Sequence, residues 1–263
     1  MSLDKAFILE NLPSNCVYAA YRGSIAHGLY VPSTDPNSID DVDVMAVYVD
    51  DVSSYLGLKA GRKSSNYFVE SLDVESHELT KYLNLCLKSN PNVFSSLWVN
   101  PAHVLYVDPL FEELFLFNRT LFSSKRMYAT YSGYAYSQLA EMQRKDKTYQ
   151  GYMGSKRKAI VDTYGYDVKN AAHLIRLLTM CVEFLRTGEL IVERTDDAHI
   201  YLGIKHGLWT LDEVIKRATE LRAEAETAVR ESTLPAEPET YEVDNMCCDF
   251  LLSKIIGGHS RSE

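Results

Sequence analysis

The sequence predicts an α+β protein in which the strands are gathered near the start and the rest is helical. Three observations carry this. Apolar or alternating runs at 16–21, 41–49, 66–74 and 104–107 read as strands. The character changes at Pro109, after which almost every segment reads as helix. The cleanest helical stripe is Ala171, Leu174, Ile175, Leu178, Cys181, Val182 and Leu185, spaced at i, i+3 and i+4. A mixed α/β domain over residues 1–120 and an α-helical domain over 121–263 are expected.

Residues 4–12 read as a short helix stopped by Pro13, and 16–21 as the first strand. Gly23-Ser24 breaks that strand, and a helix is expected from Ile25 to Leu29. Residues 32–38 are a turn-rich loop, and a strand over 41–49 follows it. Residues 50–65 look irregular, with a turn near Tyr55-Leu56-Gly57-Leu58, before one strand over 66–74. A helix is expected over 76–88, ended by Asn90-Pro91, because the residue before proline avoids helix. A short helix over 92–98 and a strand over 104–107 complete the first part. Helices are then expected over 111–122, 126–144, 155–164, 167–187, 211–230 and 244–256, with Thr187-Gly188 as a stop and 234–238 as a linker.

The chain has 263 residues, enough for one large or two modest domains. No stretch is long and apolar enough to cross a membrane, and the N-terminus lacks the pattern of a signal peptide, so a soluble, cytoplasmic protein is expected. Five scattered cysteines without Cys-x-x-Cys spacing read as reduced thiols, and Cys247-Cys248 as neighbours in a helix. The net charge of −9 argues against a protein that coats nucleic acid indiscriminately. Between 125 and 158, however, Lys125, Arg126, Arg144, Lys145, Lys147, Lys156, Arg157 and Lys158 face only Glu141 and Asp146. Tyr128, Tyr131, Tyr134, Tyr136, Tyr149 and Tyr152 fall in the same region, either as half-buried filler or as a surface that stacks bases.

The chemistry is concentrated in two short stretches. Gly23-Ser24, with Gly28 following, lets backbone amides approach a phosphate closely. Asp41 and Asp43 alternate with valine, so on a strand both carboxylates share one face. An Asp-x-Asp alone is usually a solvated strand end. Beside a phosphate seat, two like charges ask for a hard cation such as Mg²⁺, which takes oxygen ligands from carboxylates and substrate phosphates.

These residues resemble the DNA polymerase β-like nucleotidyltransferase superfamily. More narrowly, the chain is similar to a bacterial and bacteriophage family of nucleotidyltransferases associated with RNA repair (RlaP-like). The match rests on 23–29 with 41–44, on 78–83 with 88–92, and on 154–158 with 164–178, and covers roughly residues 16–190. The resemblance implies an α+β fold with a polymerase β-like N-terminal domain, completed at the nucleotide and acceptor site by the helical domain. It implies transfer of a nucleoside monophosphate from a nucleoside triphosphate, ATP among them, to an acceptor hydroxyl with release of pyrophosphate. Asp41, Asp43 and a third carboxylate would hold two Mg²⁺ ions, with Mn²⁺ able to replace them. Asp73 is preferred as the third, although Glu75 shares its face and Glu70 is near. Gly23, Ser24, His27, Lys156, Arg157, Lys158, His173 and Arg176 are the expected nucleotide contacts, Arg176 because an arginine amid leucines is hard to explain as solvated surface. His173 reads equally as a satisfied core histidine. The expected acceptor is an RNA end. A small-molecule or protein acceptor, or a catalytically silent nucleotide- or RNA-binding module, are the competing readings. The nucleotide, the oligomeric state and the physiological role are not legible.

Overall fold

A computed structural model of the protein describes residues 4–32, 42–56, 64–143 and 155–258. The chain forms two compact units, each discontinuous in sequence: one of Met1–Ala26, Asp41–Ser124 and Glu237–Glu263, the other of His27–Asp40 and Lys125–Ala236. The last helix falls in the same unit as the strands.

The first unit begins with α1 (Lys5–Glu10), β1 (Cys16–Tyr21) and a single turn of helix, α2 (Gly23–Ala26). It continues with β2 (Val42–Tyr48), α3 (Val52–Leu56), β3 (Ser64–Val69), β4 (Leu72–Glu78) and α4 (Leu79–Leu87). After two 3-10 turns come β5 (Val104–Val107) and α5 (Pro109–Phe111). The strands form one sheet in the order β3-β4-β2-β1-β5. Only β2 and β4 run parallel; the other neighbours are antiparallel. Alternation then sorts the side chains. Ala19, Val44, Ala46, Leu72 and Val74 join Ile8 and Leu105 in a core on one face, and Tyr67 packs against it. The other face buries Tyr18, Met45 and Val47. There Tyr18 stacks on Phe111 with ring centroids 5.1 Å apart and donates its hydroxyl to the Ser96 carbonyl at 2.7 Å.

Several elements depart from the sequence reading, each for a local reason. The strand expected over 66–74 is a hairpin: Glu70 adopts φ 56°, and β3 folds back antiparallel on β4. The helix expected from residue 76 starts at Leu79, because β4 runs on to Glu78, whose side chain caps α4 by accepting from the Thr80 and Lys81 amides. The helix expected over 25–29 is instead the turn Gly23–Ala26, closed by Gly28 at φ +67°. The helix expected over 111–122 is broken into α5, a π turn at Glu112–Leu116 and a 3-10 turn at Arg119–Phe122.

The second unit consists of α6 (Arg126–Gln143), α7 (Ser155–Tyr164), α8 (Val168–Thr187), α9 (Ala198–Lys205) and α10 (Leu211–Glu231). The central helix is α8, capped by Asp167 at its start and by Gly188 at φ 77° at its end. Helix α9 was not expected; its eight residues are too few to show a helical period. Helix α11 (Thr240–Gly258) carries Phe250 back against Phe111 and Phe115 of the first unit, and there Lys254 pairs with Asp108. All five cysteines are free thiols, and Cys247 and Cys248 both lie in α11. No helix among the described residues is long and apolar enough to cross a membrane.

Candidate active site

The candidate site lies on the sheet face opposite the Val44 core, at the end where β2 begins. Asp43 of β2 stands directly opposite Asp73 of β4 in the parallel register, so their carboxylates share this face. Such neighbours on adjacent strands lie about 5 Å apart. Asp41, two residues before Asp43, lies outside the described residues.

The glycine-serine turn rests on this pair. The Arg22 amide donates to the Asp43 carbonyl at 2.9 Å, which fixes the end of β1 against β2. Gly23 then turns with φ +58°, and a Cβ built on it would collide with the Asp43 carboxylate oxygen Oδ2. Glycine is needed here both for the left-handed backbone and for the space. The Ser24 hydroxyl oxygen is buried and has no hydrogen-bond partner among the described residues. A buried hydroxyl of this kind is costly unless something else satisfies it.

Glu75 is differently placed. It stands opposite Met45, one pair further along the same face, and is taken by an ion pair with Arg22. His77 Nε2 lies 3.1 Å from Glu75 Oε1 without hydrogen-bond alignment, and its Nδ1 meets the Ser64 hydroxyl at 2.5 Å. Burial, with the Lys81 and Arg22 cations adding to it, pushes His77 down to about 4, so the imidazole is neutral. The register thus pairs Asp43 with Asp73, and Arg22 occupies Glu75.

The oxygen ligands that Mg²⁺ requires are present in Asp43 and Asp73, beside a turn with no Cβ and an unsatisfied hydroxyl. This donor set fits a hard cation, which Asp43 and Asp73 would hold. Among the described residues no group of three or more His, Cys, Asp or Glu side chains is arranged to hold a metal.

In the second unit His27, His173 and Arg176 come together. His27 Nδ1 donates to the Val192 carbonyl at 2.7 Å, which leaves Nε2 to accept from Arg176 Nη1. Arg176 Nη2 donates to His173 Nδ1 at 2.7 Å, and Nη1 also meets Met180 Sδ at 3.4 Å. Burial, then the Arg176 cation, holds His27 well below the ordinary histidine range. Burial pushes Arg176 down to about 10, still a cation at neutral pH. Its partners among the described residues are therefore a neutral imidazole, His173 and a thioether, and none of these is a carboxylate. Lys158 lies half-buried in α7; Lys156 and Arg157 belong to the same helix, but their side chains are outside the described residues.

The tyrosine-rich region divides. Tyr131 is fully buried, Tyr134 meets the His173 ring edge-on at 5.6 Å, and Tyr136 is exposed with Arg222 over its ring. Tyr149 and Tyr152 lie outside the described residues.

A family model with the description RNA repair pathway DNA polymerase beta family, RlaP, matches residues 6–247. The chain belongs to the RlaP family. It is thus a member of a polymerase β-type nucleotidyltransferase family associated with RNA repair, and a transferase. A solved nucleotidyltransferase-like protein from Exiguobacterium sibiricum is similar over 90% of this chain and 74% of its own, at 11% identity and a TM-score of 0.27. That likeness is too slight to build on. No curated protein matches the chain.

Two features of this RlaP chain had no sequence signal. The Arg22–Glu75 pair depends on strand register. The buried cluster of Arg194 with Glu183, Asp197 and Tyr201 joins α8 to α9 across a loop.

Proposed function

We propose that the chain transfers a nucleoside monophosphate from a nucleoside triphosphate to the terminal hydroxyl of an RNA. The observation that carries this reading is the contact of Gly23 with the Asp43 carboxylate, which itself faces Asp73. A triphosphate seated on the turn would meet a cation held by the carboxylates. In this reading Asp41, Asp43 and Asp73 hold two Mg²⁺ ions. When bound, these neutralise charge on the triphosphate and lower the pKa of the acceptor hydroxyl.

The chain's own residues supply positioning, the main source of rate in such transfers. Gly23 lets the phosphates approach the backbone, and the Ser24 hydroxyl, unpartnered among the described residues, donates to a phosphate oxygen. The acceptor oxygen bonds to the α-phosphorus and the bond to the α,β-bridging oxygen breaks, so that pyrophosphate leaves. The hydroxyl proton passes to an Asp73 carboxylate oxygen and on to water.

Lys156, Arg157, Lys158, His173 and Arg176 complete the proposal as cations and donors toward substrate phosphates. A buried Arg176 without a carboxylate partner among the described residues supports it, because such a charge is costly unless an anion answers it. His27 spends both ring nitrogens inside the protein, so its role is to hold Arg176.

The test is thermal unfolding of wild type and Asp43→Asn with each of the four ribonucleoside triphosphates, with and without Mg²⁺. A ligand at a hundred times its Kd adds about 2.7 kcal/mol, a shift of several degrees. A Mg²⁺-dependent shift with one triphosphate, lost in the variant, is the expected result. No shift with any of them overturns the reading.

A further inference from the structure

Phe68 lies on β3, the edge strand of the sheet, directly opposite Asp73 in the antiparallel register. Its side chain therefore shares the face of Asp73 and Asp43, and the three residues form one row across β3, β4 and β2. Residues opposite one another in such a pair have Cβ atoms about 4.5–5.5 Å apart, so the phenyl ring borders the carboxylate site. The ring is 70% exposed, and it makes no ring contact among the described residues. The hydrophobic work of β3 is done on the other face, where Tyr67 packs against the Val44 core and donates its hydroxyl to the Asn11 carbonyl at 2.7 Å. The fold thus gives no reason for a phenylalanine here, and the flanking residues on its own face, Ser64 and Asn66, are polar.

The order of groups along the row says what the ring would meet. The glycine-serine turn touches Asp43, at the end of the row away from Phe68. With the leaving pyrophosphate held at that turn, an in-line displacement requires the attacking hydroxyl to enter from the opposite side. That side is Asp73 and, beyond it, Phe68. An acceptor whose hydroxyl reaches Asp73 therefore lays its adjoining group on an exposed, flat, apolar ring. A terminal nucleotide matches this, with its hydroxyl on the sugar and a planar base beside it that gains by stacking on an aromatic side chain. An anionic or strongly hydrated polar acceptor gains little from such a surface.

We propose that Phe68 is the acceptor-binding platform, on which the terminal base of a single-stranded RNA stacks. This rests on the transferase reading above and adds to it the residue that recognises the acceptor. No base edge is read by a phenyl ring, so the contact tolerates any terminal base.

The test is the fluorescence anisotropy of labelled hexaadenylate, and of the same oligonucleotide ending in an abasic residue. Both are measured with Mg²⁺ and an α,β-methylene analogue of the triphosphate that gives the thermal shift. Phe68→Ala should weaken hexaadenylate on the order of tenfold. Phe68→Trp should bind within about twofold of wild type, since it keeps a stacking face. The abasic oligonucleotide should bind wild type weakly and be indifferent to Phe68→Ala. The Mg²⁺–triphosphate shift should be unchanged in both variants, which also shows that they fold. Equal binding of hexaadenylate by Phe68→Ala and wild type, or equal binding of the two oligonucleotides, overturns the inference. So does a wild type that shifts with triphosphate but binds neither oligonucleotide, an outcome that leaves a transferase with a different acceptor. Loss of the shift itself counts against the transferase reading instead.

Discussion

Asp43 and Asp73 stand directly opposite one another on the parallel strands β2 and β4, whereas Glu75 stands opposite Met45 and is paired with Arg22. The difference separates two carboxylates that the sequence places on one face. Asp73→Asn should therefore remove the Mg²⁺-dependent triphosphate shift and reduce transfer by about a thousandfold or more, a few kcal/mol of lost electrostatic stabilisation. Glu75→Gln removes the ion pair with Arg22 but leaves Asp43 and Asp73 in place, so the shift should survive and transfer fall by about tenfold or less. Equal effects of the two substitutions would show that Glu75 is itself a ligand.

Gly23 is tied to Asp43 more tightly than backbone geometry alone demands. Gly23→Ala places a methyl group against Asp43 Oδ2 and also forces a non-glycine residue to φ +58°. A cost of about 1–3 kcal/mol in stability is expected, together with loss of the Mg²⁺–triphosphate shift. Gly28→Ala is the control: its φ of +67° carries the backbone cost, but the nearest atom to its Cβ, Glu193 Cγ, is 3.5 Å away. Urea unfolding should register both substitutions, and only Gly23→Ala should abolish the shift.

The Ser24 hydroxyl gives a sharper separation of structure from function. It is buried and makes no hydrogen bond to any described residue. Ser24→Ala removes no hydrogen bond to any described residue, so the ligand-free melting temperature should stay the same or rise slightly. Affinity for the triphosphate should fall about tenfold, the value of one hydrogen bond to a charged group. A variant that melts earlier without ligand would mean that the hydroxyl serves the fold.

Much of this was legible in the sequence, and the reasons are physical. A Gly-Ser turn after a β run and an alternating Asp-Val strand state their own faces, so the turn at Gly23 and the face of Asp43 could be read without coordinates. The stripe along α8 marked the helix that bears His173 and Arg176. What stayed hidden depends on partners distant in sequence. The turn at Glu70 is made by a residue with no strong turn preference, so β3 and β4 read as one strand. That error concealed the position of Phe68 opposite Asp73, because face assignments cannot cross an unseen hairpin. In the sequence His27 reads as a nucleotide contact, and the Val192 carbonyl and Arg176, 165 and 149 residues away, show both its ring nitrogens engaged within the protein. The chain's return to the first unit through α11 also left no local trace; Phe250 meets Phe111 across most of the sequence.

The buried histidines make the fold sensitive to acid. Burial holds His77 at about 4 and His27 well below the ordinary histidine value, so both are neutral when folded at neutral pH. In the unfolded chain each binds a proton near pH 6.5. The unfolded state therefore takes up more protons below that pH, and the stability that these residues contribute is present above about 6.5 and falls as pH drops toward 4. Each proton taken up only on unfolding changes stability by about 1.4 kcal/mol per pH unit. Glu75, 3.1 Å from His77 Nε2, favours the charged ring, but burial with the Lys81 and Arg22 cations outweighs it. His77→Gln should consequently show a shallower loss of stability between pH 6.5 and 4.5 than wild type, measured by urea unfolding at several pH values. The Gln side chain should still reach the Ser64 hydroxyl, so the two proteins should differ in slope more than in stability at pH 8. Parallel slopes would mean that His77 binds its proton in the folded protein at least as readily as in the unfolded chain, with Glu75 offsetting burial.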